Sequence, residues 1–179
     1  MAYAVHVFFD QNTDVLVRNI WEELAKNNLE TYMYESGNRP HLTLEIFEDI
    51  NIEIAQISLF NFSKSRSSIP ISFQQIGLFP SPEKVVFWAP VVTDELLHFH
   101  NDVYEIFQFC NSNKSPYYAP GRWTPHCSLA MEIDDQKNIQ QIIEICSTLP
   151  SPHEAIITEV GLISFRPVKQ ICTYELKPD

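Results

Sequence analysis

Apolar residues along the chain recur with two periods, and the switch between these periods divides the sequence into predicted strands and helices. The first half begins with a continuous apolar run and continues, after a capping residue at Thr13, with apolar residues spaced four apart. Residues 52–62 fit either a helix or a strand, and the order of elements in the second half favours a helix. The predicted elements are a strand at 3–9, a helix at 13–28, a strand at 41–47, a helix at 52–62, and strands at 69–78 and 85–89.

The second half repeats this order of elements. Thr93 precedes a helical pattern whose apolar residues recur three or four positions apart, and a second helical pattern follows Asp134 and Asp135. The other predicted elements are a turn at 80–83 and strands at 126–133, 155–164 and 170–176. Strands and helices mixed in this way predict an α+β fold.

One short motif occurs twice with the same order of residue types. It reads Pro-His-Leu-Thr-Leu at residues 40–44 and Pro-His-Cys-Ser-Leu at residues 125–129, 85 positions later. Alternate side chains of a strand share a face, so the histidine of each copy projects beside its hydroxyl residue: His41 beside Thr43, and His126 beside Ser128. A single His-x-Ser/Thr match is common in a chain of this composition, but both copies also carry the preceding proline and the following leucine. Two such strands are suited to hold a phosphate between a general acid and a general base.

A glycine follows each of the two histidines at nearly the same distance. Gly77 lies 36 residues after His41, and Gly161 lies 35 residues after His126. Repeats of this kind indicate a duplicated unit.

The duplication predicts one bilobed domain over residues 1–179, with pseudo-repeats at about 1–80 and 81–179. We expect two antiparallel-rich sheets with flanking helices around a central cleft, and both motifs should face that cleft.

Composition places the chain among soluble globular proteins. Apolar residues make up 45% and charged residues 20% of the sequence, and no apolar run is long enough to span a bilayer. The first residues show neither a basic region nor a cleavable apolar core, so we expect no secretory signal, no membrane association and a cytoplasmic location. The four cysteines form no C-x-x-C pair, which favours reduced thiols, with Cys127 and Cys146 in the core; the others are Cys110 and Cys172.

The net charge of −11 argues against binding of long duplex nucleic acid, because such binding needs many Lys and Arg contacts to phosphates. A small nucleotide or one RNA end, bound by a monomer, suits an acidic chain with local arginines better. Arg39 and Arg122 precede the two histidines and are candidate phosphate ligands, although loop solvation explains them equally well. Tyr118 and Trp123, in the long loop before the second motif, are candidates to stack on a nucleobase, with packing inside the loop as the alternative.

On its two motifs the chain resembles the two-histidine (2H) phosphoesterase superfamily, which includes bacterial 2′,5′-RNA-ligase-like proteins and cyclic nucleotide phosphodiesterases. Both copies match the superfamily's His-x-Thr/Ser-hydrophobic pattern, and the repeated units cover nearly the whole chain. The resemblance implies hydrolysis of 2′,3′-cyclic phosphates or 2′,5′-linked nucleotides, and extends to reversible 2′,5′-RNA ligation, without a metal or other cofactor. It implies that His41 and His126 are the catalytic acid and base, with Thr43 and Ser128 as hydrogen-bond donors.

The chemistry of histidine agrees with this implication. Its unperturbed pKa near 6.5 suits proton exchange at neutral pH, and a positioned acid or base typically contributes ~10²–10⁴ in rate. The sequence leaves open which histidine is the acid and which the base. It also leaves open a catalytically idle module that binds an RNA end or nucleotide, whereas metal-dependent hydrolysis lacks a recognisable ligand cluster. His6, on the first strand, is interpreted as structural or as part of the cleft wall.

Overall fold

The structure is a computed structural model that describes residues 2–80, 84–108, 114–133 and 136–178. The predicted order of elements is confirmed, with a short helix added before the first motif. The strands are β1 (Ala2–Phe9), β2 (His41–Phe47), β3 (Ile69–Phe79), β4 (Val85–Pro90), β5 (Cys127–Ala130), β6 (His153–Phe165) and β7 (Lys169–Glu175). The helices are α1 (Gln11–Lys26), α2 (Tyr32–Glu35), α3 (Ile52–Ser65), α4 (Asp94–Ile106) and α5 (Gln136–Cys146).

All the strand pairs are antiparallel and belong to one sheet, in the order β2-β1-β6-β3-β4-β5. The long strand β6 makes the sheet continuous, because one of its edges pairs with β1 and the other pairs first with β3 and then with β7. The α+β class is therefore confirmed, and the two predicted sheets are joined through β6. The motif strands β2 and β5 are the two edge strands of this order.

The helices pack in two pairs, and each pair joins one helix of the first half of the chain with one helix of the second half. α3 and α4 meet through an edge-to-face contact between Phe62 and Phe99, and they pack on β6 and β2 respectively. α1 and α5 pack on each other, and α1 also packs against β5. A helix of the first half thus supports the motif strand of the second half.

Several boundaries differ from the prediction, and two of them have a clear local cause. α1 begins at Gln11, so the predicted cap at Thr13 is wrong: the cap is Asp10, whose carboxylate accepts hydrogen bonds from the backbone N–H and the hydroxyl of Thr13 at 3.1 and 2.9 Å. Aspartate is at least as good a cap as threonine, so the helix starts earlier than predicted, and it also ends earlier, at Lys26 instead of residue 28. The strand of the second motif ends at Ala130 instead of residue 133, because Glu132 has a left-handed backbone (φ 55°) that a strand does not accommodate.

Some predictions concern residues outside the described ranges. The turn predicted around residues 81–83, the helix start at residues 134–135 and Cys110 all lie there. Cys127 and Cys146 are buried, as predicted, and burial raises the pKa of each thiol to about 12. Within the described part of the chain, no helix is both long and apolar enough to cross a membrane.

Candidate functional site

The two motifs meet at one cavity. β2 and β5 are in contact with each other although they lie at opposite ends of the strand order, so the sheet curls until its edges meet. A cavity of about 150 Å³ opens between them. Its lining includes all four motif side chains predicted to act together: His41, Thr43, His126 and Ser128.

The two histidines have the same local hydrogen bond. Nδ1 of His41 lies 2.6 Å from the carbonyl oxygen of Arg39, and Nδ1 of His126 lies 2.7 Å from the carbonyl oxygen of Thr124, in each case two residues earlier. A carbonyl oxygen only accepts, so each Nδ1 must carry the hydrogen. Each neutral ring therefore keeps its lone pair on Nε2, the nitrogen left for a bound substrate.

Burial controls the charge of both imidazoles. Burial, with His126 nearby as a further cause, lowers the pKa of His41 to about 4, against the hydrogen bond to Arg39. Burial also lowers the pKa of His126 below its usual 6.5. Both rings are thus neutral at pH 7.

A β-bulge follows the hydroxyl residue in both motif strands. The pairing of β1 with β2 shifts by one residue at Leu44, and the pairing of β4 with β5 shifts in the same way at Leu129. A bulge turns the following side chain to the face that alternation would not give it. As a result Glu45 is fully buried, and Ile46 lines the cavity.

The repeated glycines belong to matching cross-strand rows. Opposite residues on three neighbouring strands form these rows: Gly161, His6 and Thr43 in one, and Gly77, Phe87 and Ser128 in the other. A Cβ on Gly77 would lie 2.3 Å from the ring of Phe87, and one on Gly161 would lie 2.7 Å from the carbonyl oxygen of Cys172. Because glycine has no Cβ, each position leaves space for a neighbouring group: the ring of Phe87 at Gly77 and the carbonyl oxygen of Cys172 at Gly161.

Each motif strand is held by a tryptophan from the other half of the chain. The indole of Trp21, on α1, donates to the carbonyl oxygen of Ser128 at 3.2 Å, and the indole of Trp123 donates to the carbonyl oxygen of Thr43 at 2.8 Å. These bonds satisfy carbonyl groups on edge strands, where a neighbouring strand is missing on one side. The two indole hydrogen bonds therefore tie each motif strand, at its hydroxyl residue, to the other half of the chain.

The sequence pattern of the 2′-5′ RNA ligase superfamily matches residues 14–168, which is most of the chain. The chain belongs to this superfamily. Membership places the protein among phosphoesterases and RNA-ligase-like enzymes. No curated protein sequence matches the chain significantly.

Solved structures share the fold at low sequence identity. The protein TT0787 of Thermus thermophilus is 13% identical with a TM-score of 0.63, and the alignment covers 100% of each chain. LigT of Escherichia coli, solved with 3′-AMP, is 14% identical with a TM-score of 0.61, and the alignment covers 97% of each chain. A third structure, of a phosphoesterase, is 16% identical with a TM-score of 0.62 over 98% of this chain and 97% of its own. These similarities establish the fold alone.

In this superfamily member, the structure does not bring the two predicted arginines into the cavity lining. Arg39 forms an ion pair with Glu159 at 2.5 Å and lies over the ring of Phe8, in a separate pocket beside the start of α1. Arg122 is exposed in its loop, and its backbone N–H bonds to the carbonyl oxygen of Ala119. Arg39 is thus paired with Glu159, whereas the exposed side chain of Arg122 lies outside the cavity lining.

Of the two predicted aromatic ligands, one lies in the cavity. Tyr118 lines it, and burial together with Glu45 raises the pKa of the phenol to about 12, so the hydroxyl stays protonated. Trp123 is 9% exposed and stacks on His100, with centroids 4.1 Å apart, so its indole supports β2 instead of facing the cavity.

Sequence reasoning missed several residues of the cavity wall. Tyr32 and Met33, on α2, and Val168, between β6 and β7, line it. His6 also lines it, in agreement with one of the two interpretations that its place on the first strand allowed. Within the described residues, no lining side chain is Lys, Arg, Asp or Glu, and no three His, Cys, Asp or Glu residues are placed to hold a metal ion.

Proposed function

We propose that the protein is a phosphodiesterase that hydrolyses a 2′,3′-cyclic phosphate, or a 2′,5′ linkage, of a nucleotide or RNA end. The observation that carries the proposal is the equivalence of His41 and His126. Each has its Nδ1 bound to a backbone carbonyl, its Nε2 available to one cavity, and a hydroxyl residue two positions on. E. coli LigT, which shares the fold, has been solved with 3′-AMP, which is the kind of product that such hydrolysis releases.

The proposed acid–base roles follow from the surroundings of the two rings. His41 is stacked against a second buried imidazole, His6, and has a pKa of about 4, so it is neutral above that pH and serves as the base. It takes a proton from water while the water oxygen bonds to phosphorus. His126 gives its proton to the ribose oxygen as the bond between that oxygen and phosphorus breaks. The product is a phosphomonoester with a free ribose hydroxyl, and reversal of these steps would exchange the two roles.

Thr43 and Ser128 supply the hydrogen bonds of this mechanism. Their hydroxyl groups are proposed to donate to the non-bridging phosphate oxygens, whose negative charge grows in the transition state. Because the described cavity wall has no lysine or arginine, these uncharged donors carry a larger share of the stabilisation than they would beside a cation.

Replacing Thr43 with valine, which has the same shape without the hydroxyl, is expected to lower kcat by about 10²–10³-fold, as loss of one transition-state donor does elsewhere. Thr43→Ser should retain most of the activity because the hydroxyl remains. Thr158→Val is the matched control, since Thr158 lies on β6 but lines a different pocket. Equal rates for Thr43→Val and Thr158→Val would exclude a role for the Thr43 hydroxyl.

The pH dependence of kcat/KM should be bell-shaped with a maximum in weakly acidic solution. The base must be neutral, so activity falls as pH drops through the pKa of His41 at about 4. The acid must be protonated, so activity also falls as pH rises through the pKa of His126, which lies below 6.5 in the free protein. Rate measurements across the acidic and neutral range test this, and a maximum on the alkaline side of neutrality would contradict the role of His126 as the acid.

The proposed function is tested directly with purified protein in EDTA. The substrates are the four nucleoside 2′,3′-cyclic monophosphates and short oligonucleotides with 2′,5′ or 3′,5′ linkages. Hydrolysis of a cyclic or 2′,5′-linked substrate, with the product identified as a 2′- or 3′-phosphomonoester, supports the proposal and identifies the linkage. Folded protein without turnover on any of them would contradict it.

A further inference from the structure

A third imidazole lies beside the proposed catalytic pair. His6 stands on β1 directly opposite Thr43, and only 4% of its surface is exposed. Its ring stacks on the ring of His41, with centroids 3.7 Å apart and planes 7° from parallel. His6 also lines the cavity. A substrate that contacts His41 and Thr43 would therefore lie within reach of His6 as well.

The ring nitrogens of His6 lack a hydrogen-bond partner among the described residues. Its imidazole makes no hydrogen bond to any residue of the described ranges, and its ring contacts are the stack on His41 and an edge contact with Phe8. A neutral imidazole carries one N–H donor and one acceptor nitrogen, both directed in the plane of the ring. His41 cannot pair with them, because two stacked rings meet face to face. The ring nitrogens of His6 are not among the buried side-chain atoms without a partner, so they reach the cavity and are open to a ligand there.

The other half of the molecule shows that packing does not require this imidazole. Phe87 holds the equivalent position, opposite Ser128 and in contact with the ring of His126 at 5.5 Å between centroids. A phenyl ring therefore fills the same place beside the second motif. Histidine at position 6 adds polar atoms to a site where an apolar ring suffices for the fold.

Building on the function proposed above, we propose that His6 is a third phosphate-binding residue, whose ring N–H donates a hydrogen bond to a non-bridging oxygen of the bound phosphate beside Thr43. Burial, and His41 next to it, keep the pKa of His6 well below 6.5, so the ring is neutral at pH 7 and retains one N–H. His6 gains and loses no proton in the reaction. With Thr43 and Ser128 it gives the phosphate a set of three uncharged donors.

Two substitutions separate hydrogen bonding from ring stacking. His6→Phe keeps the aromatic stack, as in the other half of the molecule, but removes the donor. His6→Gln removes the ring but keeps an N–H donor. The measurements are kcat/KM on a hydrolysed 2′,3′-cyclic nucleotide, the inhibition constant of inorganic phosphate, and thermal unfolding of each variant.

We expect His6→Phe to lower kcat/KM and to weaken phosphate inhibition, each by about 10–100-fold, the range for a hydrogen bond to a charged group, without a lower melting temperature. His6→Gln should recover part of both losses. The reverse order, with His6→Phe equal to the wild type and His6→Gln impaired, would assign His6 to stacking alone and overturn the proposal while hydrolysis itself stands. Wild-type protein that neither hydrolyses these substrates nor binds phosphate would overturn the proposed function together with this role of His6.

Discussion

Replacing either His41 or His126 with alanine is expected to lower turnover by about 10²–10⁴-fold while the protein stays folded. Each variant loses the nitrogen that is proposed to move one of the two protons, and the remaining histidine cannot substitute for it because it moves the other proton. The effect should lie in kcat more than in KM, because Thr43 and Ser128 still bind the phosphate. Steady-state kinetics on the preferred substrate, with circular dichroism to confirm folding, provide the measurement.

His98→Ala is the matched control for the loss of a histidine. His98 is exposed on α4 and lines a separate surface depression, so its removal should leave the rate unchanged. The double variant of His41 and His126 should be little worse than either single one, because one proton transfer without the other gives no product. Turnover that survives in both single variants would eliminate the two-histidine mechanism.

Replacing Lys114 with methionine is expected to destabilise the protein by about 3–5 kcal/mol at roughly pH 8, since Glu45 then loses its cation and either stays a buried charge or must take up a proton. Glu45 is fully buried on the first motif strand, and its carboxylate pairs with the Lys114 ammonium at 3.3 Å. Lys114 also donates to the carbonyl oxygen of Tyr104 and lies over that ring, so it ties α4 to β2. Urea denaturation at controlled pH measures the loss.

The pH dependence of this loss identifies its cause. Burial raises the pKa of Glu45 to about 7 even with Lys114 present, so the carboxyl of folded Lys114→Met is neutral well below that pH and the penalty shrinks. Adding Glu45→Gln should likewise restore most of the stability. Lys26→Met is the control: the Lys26–Glu22 pair on α1 is exposed, and its loss should leave the free energy of unfolding unchanged within error. A penalty of the same size at acidic pH would show that Lys114 acts through packing instead.

Hydrophobic periodicity was sufficient to predict the strands and the helices α1, α4 and α5, because each of them buries one face and neighbouring residues define that face; the four-residue helix α2 was not predicted. The helix over residues 52–65, ambiguous by itself, was recovered from the order of elements in the other half. The cap of α1 and the end of β5 were predicted wrongly, since Asp10 and the backbone of Glu132 act over one or two residues that periodicity does not weigh.

Whether each candidate ligand lines the cavity depends on partners far along the chain. Arg39 lies two residues before His41, but Glu159, 120 positions later, holds its guanidinium away from the cavity. The sequence made Trp123 a candidate for base stacking. In the fold, its indole instead donates to the carbonyl oxygen of Thr43, 80 positions earlier. Because these contacts join residues far apart in the chain, no local sequence pattern predicts them.

The sequence by itself determined that two strands would each present a histidine beside a hydroxyl, because alternation along a strand is a property of neighbouring residues. Only the tertiary structure decided which side chains surround that pair. The curl of the sheet brings its edge strands together, the bulges after Thr43 and Ser128 turn the following residues, and the pairing of β1 with β2 stacks His6 on His41. Register between strands that are distant in sequence is set by burial over the whole domain, and so the third imidazole emerged only when the chain was folded.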